Sequence, residues 1–459
     1  MHETIDQPGQ HERRRFLSIV LLLTVAALLV RLLFFFFAKV DYPVRGDVRE
    51  YFFYGWNLLH HATLSAAAPG SESVVPDAFR PPGYPSFLAL GMAMFGESAS
   101  AIRNIAVLQI VLSCAVVPLT VALARTWLSR QAALLCGVLA AFWPHLVVFA
   151  GTLLAETLFG LLLLAMLLLM RLAQRDGRPG FAIAAGLVGG GAYLFNPVIL
   201  FFPPLLAIWL ACRSQARAAL LLVLAFSSVA GAWAARNAMQ PLGAGSWSRA
   251  AVNIVEGSWP QYHAAYNSRW VNPVSASIMA AIDEEERLMV ADPAAGLRKV
   301  SMRLSSDPAY YLGWYLFKKP YSLWSWNVRI GWGDVYFLAV RDSPYDRNPV
   351  LRAVHAAFKA GNPLVFALAL LAAAGYLFRS VFAGRASTSH EPWLAGIFFL
   401  YVTAIHVVFQ ADPRYAVAYR PIEIVLAVAA LAAVSVRIRA LRSGAGVAEP
   451  AMQDLGNSR

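Results

Sequence analysis

The sequence predicts an all-α polytopic membrane protein with about ten transmembrane helices, and three observations support that prediction. The 459 residues are 59% hydrophobic and only 14% charged, with a mean hydropathy of +0.55. One soluble core cannot bury that much apolar side chain. Apolar stretches long enough to cross a hydrocarbon core of roughly 30 Å recur along the chain. Basic residues recur at their ends, which is typical of membrane topology.

The first predicted span covers residues 16 to about 37 and follows three consecutive arginines. It lacks a small-x-small cleavage signal, so we expect a retained helix. Further apolar stretches predict spans at 104–126, 131–150, 152–171, 217–235, 361–378, 393–410 and 415–436. The uncharged run 181–212 would be about 48 Å long as one helix. We therefore expect it to break into two spans at Asn196 and Pro197, because proline removes a backbone donor.

The apolar piece 84–95 is too short to cross, and charge decides where it lies. If it lies along the outer surface, the basic loops all fall on the cytoplasmic side, as the positive-inside rule favours. Both termini are then cytoplasmic. The predicted layout is a cytoplasmic N-terminus (1–15), a transmembrane catalytic module (16–235) with an external loop (39–103), an external aromatic-rich segment (236–360), C-terminal transmembrane spans (361–440) and a disordered cytoplasmic tail (441–459).

The external segment 236–360 holds seven of the thirteen tryptophans. Its pattern predicts an exposed helix over 283–300 and an aromatic helix or helix pair over 308–326. Tryptophan and tyrosine favour the headgroup level, so this segment is either an interfacial belt or a cap that stacks on a sugar or a lipid.

Several function classes are disfavoured by composition. The net charge of +12 does not indicate nucleic acid, because the basic residues form no dense patch with interleaved aromatics. The three cysteines, Cys114, Cys136 and Cys212, all lie in apolar runs, which indicates neither a disulfide framework nor a cysteine metal site. No glycine-rich phosphate loop follows a predicted strand, so a nucleotide site is not expected.

Charged residues on the predicted outer side are the candidates for chemistry. Asp47 stands in a short charged run on the first external loop, and Arg80 is presented by the two prolines that follow it. Glu156 lies inside an apolar run, where an ionisable group is costly and usually faces a cavity or a partner. Arg414 and Tyr415 follow Asp412 and Pro413 before the last span.

The remaining polar groups at the span ends have simpler interpretations. Arg420 and Glu423 are three residues apart and are expected to pair with each other. His145 and His406 are interpreted as hydrogen-bonded bundle histidines, since no second histidine or cysteine stands at ligand spacing. We therefore expect no cofactor and no catalytic metal.

Two carboxylates and several arginines around one cavity suit the transfer of a sugar from a lipid phosphate. One carboxylate takes the proton from an acceptor hydroxyl that attacks the anomeric carbon. An arginine holds the departing phosphate, whose charge grows in the transition state. A single direct displacement inverts the anomeric configuration.

The same residues resemble a known family. Asp47 with Tyr51, followed by the Phe-Arg-Pro-Pro-Gly-Tyr-Pro run at 79–85, is similar to bacterial membrane glycosyltransferases of the GT-C fold. These include the dolichyl-phosphate-mannose protein mannosyltransferase superfamily and the lipid A aminoarabinose transferases. The resemblance covers about residues 15–440. Weaker matches are Glu156, the segments 233–237 and 253–257, Asp307-Pro308 ahead of Lys318-Lys319 and Trp324, and Pro413-Arg414-Tyr415.

The resemblance implies roles for these residues. Asp47 resembles the family's catalytic aspartate, and Glu156 its second acid. Arg80, with Arg414, would contact the donor phosphate, and Tyr51, Tyr84 and Tyr415 would stand at the substrate cavity. The family fold also places residues 84–95 as a juxtamembrane helix on the outer surface. No large soluble domain follows the last span, unlike in the aminoarabinose transferases, which leaves the acceptor open.

The sequence thus predicts an inverting glycosyltransferase of the bacterial inner membrane with a periplasmic active site. Its donor would be a polyprenyl-phosphate sugar, and its acceptor a hydroxyl of lipid A or lipopolysaccharide, a polysaccharide, a glycolipid or a protein. Two alternatives stay open, a lipid or sugar transporter or flippase and a non-catalytic binding or assembly protein. Charged residues near the bilayer midplane and inverted repeats would indicate a transporter.

Overall fold

The computed structural model describes residues 8–240, 246–382 and 392–442, and this part of the chain is almost entirely helical. The predicted tail beyond residue 442 lies outside the described residues. The first half contains α1 (Pro8–Phe37), α2 (Asp47–His61), α3 (Gly83–Phe95), α4 (Ala99–Ser113), α5 (Val116–Arg125), α6 (Arg130–Phe142), α7 (Pro144–Ala150), α8 (Glu156–Asp176), α9 (Pro179–Phe195), a 3₁₀ segment (Pro197–Phe201), α10 (Phe202–Cys212) and α11 (Ala216–Ala238).

The second half contains α12 (Ser246–Ser258), α13 (Tyr262–Ser268), α14 (Pro273–Ala291), α15 (Pro293–Ser306), α16 (Pro308–Gly313), a π-helical segment (Trp314–Lys318), α17 (Lys319–Trp324), α18 (Pro344–Arg347), α19 (Pro349–Phe382), α20 (Trp393–Val408), α21 (Pro413–Ala416) and α22 (Arg420–Arg442). Two short strands, β1 (Lys39–Val40) and β2 (Val340–Asp342), pair antiparallel. They join the end of the first helix to the loop that precedes α18.

Six helical stretches of the described residues are long and apolar enough to cross a membrane, with α4 and α5 together forming one of them (Ala99–Arg125), and the chain is a multi-pass membrane protein. The pair α6 and α7 would make a seventh span, bent by 50° where Pro144 follows Trp143. Three further predicted spans fall on shorter apolar helices, Pro179–Phe195, Pro197–Cys212 and Trp393–Val408. The break predicted at Asn196 and Pro197 is present. The total of ten spans stays a prediction.

Asp47 does not lie in a loop, as the sequence interpretation had it, but is the first residue of α2. Gly46 precedes it with φ of 55°, a backbone conformation that glycine adopts without strain. Asp47 and Glu50 both stand in the first turn of α2, where the helix macrodipole stabilises negative charge. The helix start therefore holds both carboxylates in a fixed direction.

The apolar piece 84–95, predicted to be too short to cross the membrane, lies in α3, which has 13 residues. It packs against α2 on one side and α4 on the other. Its first residue, Gly83, has no space for a side chain, because a Cβ there would lie 2.6 Å from the carbonyl oxygen of Leu194. The close approach of α3 to the end of α9 accounts for the glycine after the two prolines.

Within the external segment, the helices between residues 246 and 306 enclose a small apolar core of their own. Ala251, Val255, Ile282, Met289 and Val300 are buried together. The single helix predicted over 283–300 is wrong in one respect: the chain ends α14 and begins α15 at Asp292 and Pro293. The Asp292 carboxylate accepts a hydrogen bond from the amide of Ala295, and proline is well tolerated at the start of a helix.

Candidate active site

The centre of the site is a carboxylate and a guanidinium from opposite ends of the chain. Arg414 donates from Nη1 to Oδ2 of Asp47 across 2.7 Å. Its Nε lies 3.3 Å from Oε1 of Glu156, the first residue of α8. The structure therefore brings Asp47, Glu156 and Arg414 together as the sequence predicted, with the arginine between the two acids.

Arg80 lies on the other side of Asp47. Its Nη2 donates to Oδ1 of Asp47 across 2.9 Å and also bonds to Glu50. The guanidinium carbon lies 4.6 Å from the centre of the Tyr51 ring, within the range of a cation–π contact. Glu50 was not selected from the sequence, although an acid three residues after Asp47 in a helical first turn faces the same side.

Tyr84 supports this arrangement through its contact with Tyr51. Its ring packs edge-on against Tyr51 with centroids 5.0 Å apart, and its hydroxyl donates to the Gln109 side chain across 2.8 Å. The Gln109 amide in turn donates to the carbonyls of Ala150 and Thr152, just before α8. Tyr84 is completely buried, so it orients Tyr51 and does not itself line an open cavity.

The turn that carries Arg414 is fixed by backbone contacts. Asp412 accepts hydrogen bonds from the amides of Arg414, Arg329 and Ile330. Tyr415 stacks on His406 with ring centres 5.2 Å apart, and its hydroxyl bonds to Gln410. Tyr415 thus stands next to the site, as predicted, while its hydroxyl is already bonded.

Lys319 holds the chain just before this turn. Its side chain is buried, and its amine donates to the carbonyl of Gly257 across 3.0 Å and also to the carbonyl of Phe409. Burial lowers the pKa of Lys319 to about 7. The sequence offered only its place after Asp307 and Pro308, with no sign that this lysine is buried and its neighbour exposed.

The charges around Asp47 decide its protonation state. Burial alone would raise the pKa of Asp47, but Arg414 and Arg80 outweigh burial and hold it well below its usual range. Asp47 is therefore ionised at any physiological pH. An anionic phosphate that engages the same arginines would compete for their charge and raise the pKa of Asp47 toward that of a useful base.

Two further residues near the site were missed in the sequence interpretation. Burial, helped by the nearby Glu286 and Asp47 charges, raises the pKa of Glu256 to about 8. Arg249, on the same helix α12, is close enough to Asp47 for its charge to lower the Asp47 pKa. The Nη1 of Arg249 is buried and has no hydrogen-bond partner among the described residues. The 253–257 match contained Glu256, but nothing in the sequence pointed to Arg249.

The other polar predictions have clear partners. Arg420 donates to Glu423 across 2.8 Å, and both side chains are fully buried. His145 bonds to the carbonyl of Trp326, and His406 to the carbonyl of Gln410. Within the described ranges, no three histidine, cysteine or acidic side chains gather closely enough to hold a metal ion.

Residues 79–235 match the family model for dolichyl-phosphate-mannose-protein mannosyltransferase. The matched segment contains Arg80, Tyr84 and Glu156, while Asp47 and Arg414 lie outside it. No curated protein sequence gives a significant match.

Solved structures of an archaeal oligosaccharyltransferase show the same fold at low sequence identity. The archaeal oligosaccharyltransferase AglB from Archaeoglobus fulgidus, in complex with an inhibitory peptide and a dolichol-phosphate, matches with a TM-score of 0.53 and 14% identity, over 95% of this chain and 52% of that chain. The apo form of the Archaeoglobus fulgidus enzyme matches with a TM-score of 0.50 and 13% identity, over 93% and 51%. ArnT from Cupriavidus metallidurans bound to undecaprenyl phosphate gives 0.36 and 13%, over 87% and 78%.

The helical architecture and the archaeal matches define a membrane protein of the GT-C fold. The resemblance to the mannosyltransferase superfamily, predicted from the Asp47 and Arg80 motifs, is confirmed by the match over residues 79–235. The chain spans about half the length of the archaeal structures that it matches.

Proposed function

We propose that the protein is an inverting glycosyltransferase that moves a sugar from a polyprenyl-phosphate donor to a hydroxyl of a cell-envelope acceptor. The observation that carries the proposal is the Asp47 carboxylate, held between Arg80 and Arg414 with Glu156 behind the second arginine. This group joins a candidate base to cations that suit a leaving phosphate. The family match and the dolichol-phosphate named with AglB support the choice of a lipid-phosphate donor.

The reaction is a single displacement. The acceptor oxygen bonds to the anomeric carbon as the bond from that carbon to the phosphate oxygen breaks. The proton of the hydroxyl passes to Asp47, and the bonding electron pair leaves with the phosphate. Charge on the phosphate grows in the transition state, where a nearby guanidinium stabilises it more strongly than in the ground state.

The hydrogen-bond partners of each arginine indicate its role in the reaction. Arg80 and Arg414 already bond to Asp47, so they orient the base and neutralise the phosphate together. Within residues 8–240, 246–382 and 392–442, the Nη1 of Arg249 is a buried donor without a partner, and we add Arg249 to the phosphate site. Glu156 contacts Arg414 and not the open side of Asp47, so we assign it the role of positioning that guanidinium.

The layout of the site supports surface chemistry over passage through the membrane. Asp47 opens α2 outside the candidate spans, and Glu156 is the first residue of α8. On the predicted topology this end of the spans faces the periplasm of a bacterial inner membrane. A flippase would instead need its charged contacts deep within the bilayer.

Release of free polyprenyl phosphate tests the proposal. Purified protein in lipid nanodiscs would be supplied with undecaprenyl-phosphate sugars and an envelope extract as acceptor. A transferase consumes the donor and releases undecaprenyl phosphate only when acceptor is present. Movement of intact donor across proteoliposomes without any release would establish the transporter alternative and contradict the proposal.

A further inference from the structure

A cavity lies beside the candidate active site, and the proposed reaction does not use it. It has a volume of about 300 Å³ and lies between the end of α1, the first turns of α4, the end of α7 and the loop 336–340. Its walls are largely apolar, with Phe34, Val148, Leu153 and Phe337 among them. This volume is at the lower end of the range for small-molecule sites.

The cavity opens where the first span ends. Ala38 and Val40 line it, directly after the apolar helix α1. Phe36 and Phe37 on the same turn are 59% and 64% exposed, as expected of side chains that face lipid. A hydrocarbon chain reaches such a cavity from the bilayer without leaving an apolar medium, whereas a free sugar or a peptide would lose its hydration.

One cation stands at the rim. Arg103 lines the cavity and is exposed, and none of the described residues forms an ion pair with it. An arginine next to an apolar chain site suits a lipid with an anionic headgroup, because guanidinium binds phosphate or carboxylate with paired hydrogen bonds. The charge of Arg103 therefore favours lipids with an anionic headgroup over neutral lipids.

The wall of the cavity is also a wall of the active site. The Phe337 ring lies 4.7 Å from the guanidinium carbon of Arg414. Thr152 lines the cavity, and its carbonyl holds the Gln109 amide that supports Tyr84. A headgroup that leaves the cavity at Phe337 arrives next to Arg414 and Asp47.

The direction of the displacement distinguishes acceptor from donor. The attacking hydroxyl and the leaving phosphate must lie on opposite sides of the anomeric carbon. Arg249, whose Nη1 has no hydrogen-bond partner among the described residues, lies on α12, which packs on α14, α15 and α20. The cavity is lined by α1, α4 and α7 and meets the site at Phe337, beside Arg414.

We propose that this cavity holds an acyl chain of the acceptor, which is an anionic membrane lipid that presents its headgroup hydroxyl to Asp47. The proposal rests on the glycosyltransferase function above and narrows the acceptor to a lipid. Arg103 binds the anionic headgroup, and the apolar walls bind the chain. The donor polyprenyl phosphate occupies the other side of the site.

Photolabelling tests occupancy without requiring activity. The full-length protein would be placed in phosphatidylcholine nanodiscs with a trace of phosphatidylglycerol that carries a diazirine in one acyl chain. We expect crosslinks on 34–43, 99–106 and 147–153. Ala38→Trp and Ala99→Trp, which fill the cavity, should reduce them several-fold. Leu29→Trp, on the lipid-facing side of α1, should not. Ala99 is exposed at the start of α4, so its variant should fold even if Ala38→Trp does not.

The charge at the rim is tested in the same nanodiscs. Arg103→Glu should reduce labelling by phosphatidylglycerol, Arg103→Lys should largely retain it, and a phosphatidylcholine probe should label less than phosphatidylglycerol in the wild type. Labelling that is uniform over the lipid-facing helices and unaffected by both filling variants would overturn the proposal. Stronger labelling of the same segments by a diazirine polyprenyl phosphate would also overturn it, because the cavity would then hold the donor chain.

Kinetics separate this proposal from the function on which it rests. In the release assay with a lipid extract as acceptor, Ala99→Trp should raise the KM for acceptor and leave the KM for donor unchanged. An unchanged acceptor KM in a folded variant would contradict the acceptor assignment. Failure of the wild type to consume any donor would remove the glycosyltransferase function, while the labelling result would still show whether a lipid fills the cavity.

Discussion

Arg414 donates to Asp47 across 2.7 Å although 367 residues separate them in the sequence. This contact closes the site, because it joins the start of α2 to the turn before the last span and reaches Glu156 on α8 as well. Arg414 is therefore the residue that holds both acids, Asp47 and Glu156, in position.

Replacing Arg414 by lysine should lower kcat by about 10²-fold or more, the effect typical of losing a placed transition-state donor. An ammonium is a compact charge and cannot bridge Asp47 and Glu156 as the guanidinium does. Steady-state release of polyprenyl phosphate measures the effect. Arg298→Lys, on the exposed face of α15, is the matched control and should retain wild-type activity. Wild-type kcat in Arg414→Lys would show that the bridge is not needed.

Arg249→Met should raise the KM for the donor about tenfold, as expected for the loss of one charge-assisted hydrogen bond. The unfolding midpoint should change little, because the Nη1 of Arg249 makes no hydrogen bond within the described part of the chain that the variant would lose. Donor titrations and thermal unfolding in nanodiscs check both expectations. An unchanged donor KM would remove Arg249 from the phosphate site.

Lys319→Met should lower kcat more than it lowers stability. The buried amine fixes the Phe409 carbonyl ahead of the Arg414 turn, while its loss also removes the cost of a buried charge. Since the pKa of Lys319 is about 7, wild-type activity should fall as the amine deprotonates above that pH, and this step should be absent in the variant. Lys318→Met changes the exposed neighbour and is the control. Equal effects of the two variants would contradict a positioning role.

Glu256→Gln should make stability less dependent on pH. The folded-state pKa of about 8 is above the ordinary value of 4.5, so the folded state keeps a proton that the unfolded state has lost. Stability is therefore full below about 4.5 and falls as the pH rises through 8. The variant should gain in unfolding temperature relative to the wild type between pH 5 and pH 9. A constant difference over that range would show that Glu256 does not titrate there.

The sequence predicted the local parts of this site well. The Asp47 and Arg80 motifs, the acid inside an apolar run and the Pro413-Arg414-Tyr415 turn are each visible within a few residues. Long-range contacts were not predictable in this way. Asp47 accepts from both Arg80 and Arg414, and Arg80 bonds to both Asp47 and Glu50, because α2 begins at Asp47 and α3 packs on it.

The burial of individual charged side chains was also not predictable from the sequence pattern. Lys318 and Lys319 are adjacent in sequence, yet only Lys319 enters the core. Arg31 lies within an apolar span and is buried with its Nη1 on the carbonyls of Ala27 and Ala141, which hydropathy alone does not reveal. The end of α14 at Ala291 was missed, although an aspartate followed by a proline, as at Asp292 and Pro293, is typical of a new helix start.

Asp47→Asn provides the most direct test of the central claim, that Asp47 is the base for transfer from a polyprenyl phosphate. Asp41→Asn is the matched control, since Asp41 lies six residues earlier and pairs with the exposed Arg341. Both variants would be compared with the wild type for release of undecaprenyl phosphate after size-exclusion profiles confirm folding. The account predicts wild-type release for Asp41→Asn and no acceptor-dependent release for Asp47→Asn. Full release by a folded Asp47→Asn protein would contradict it.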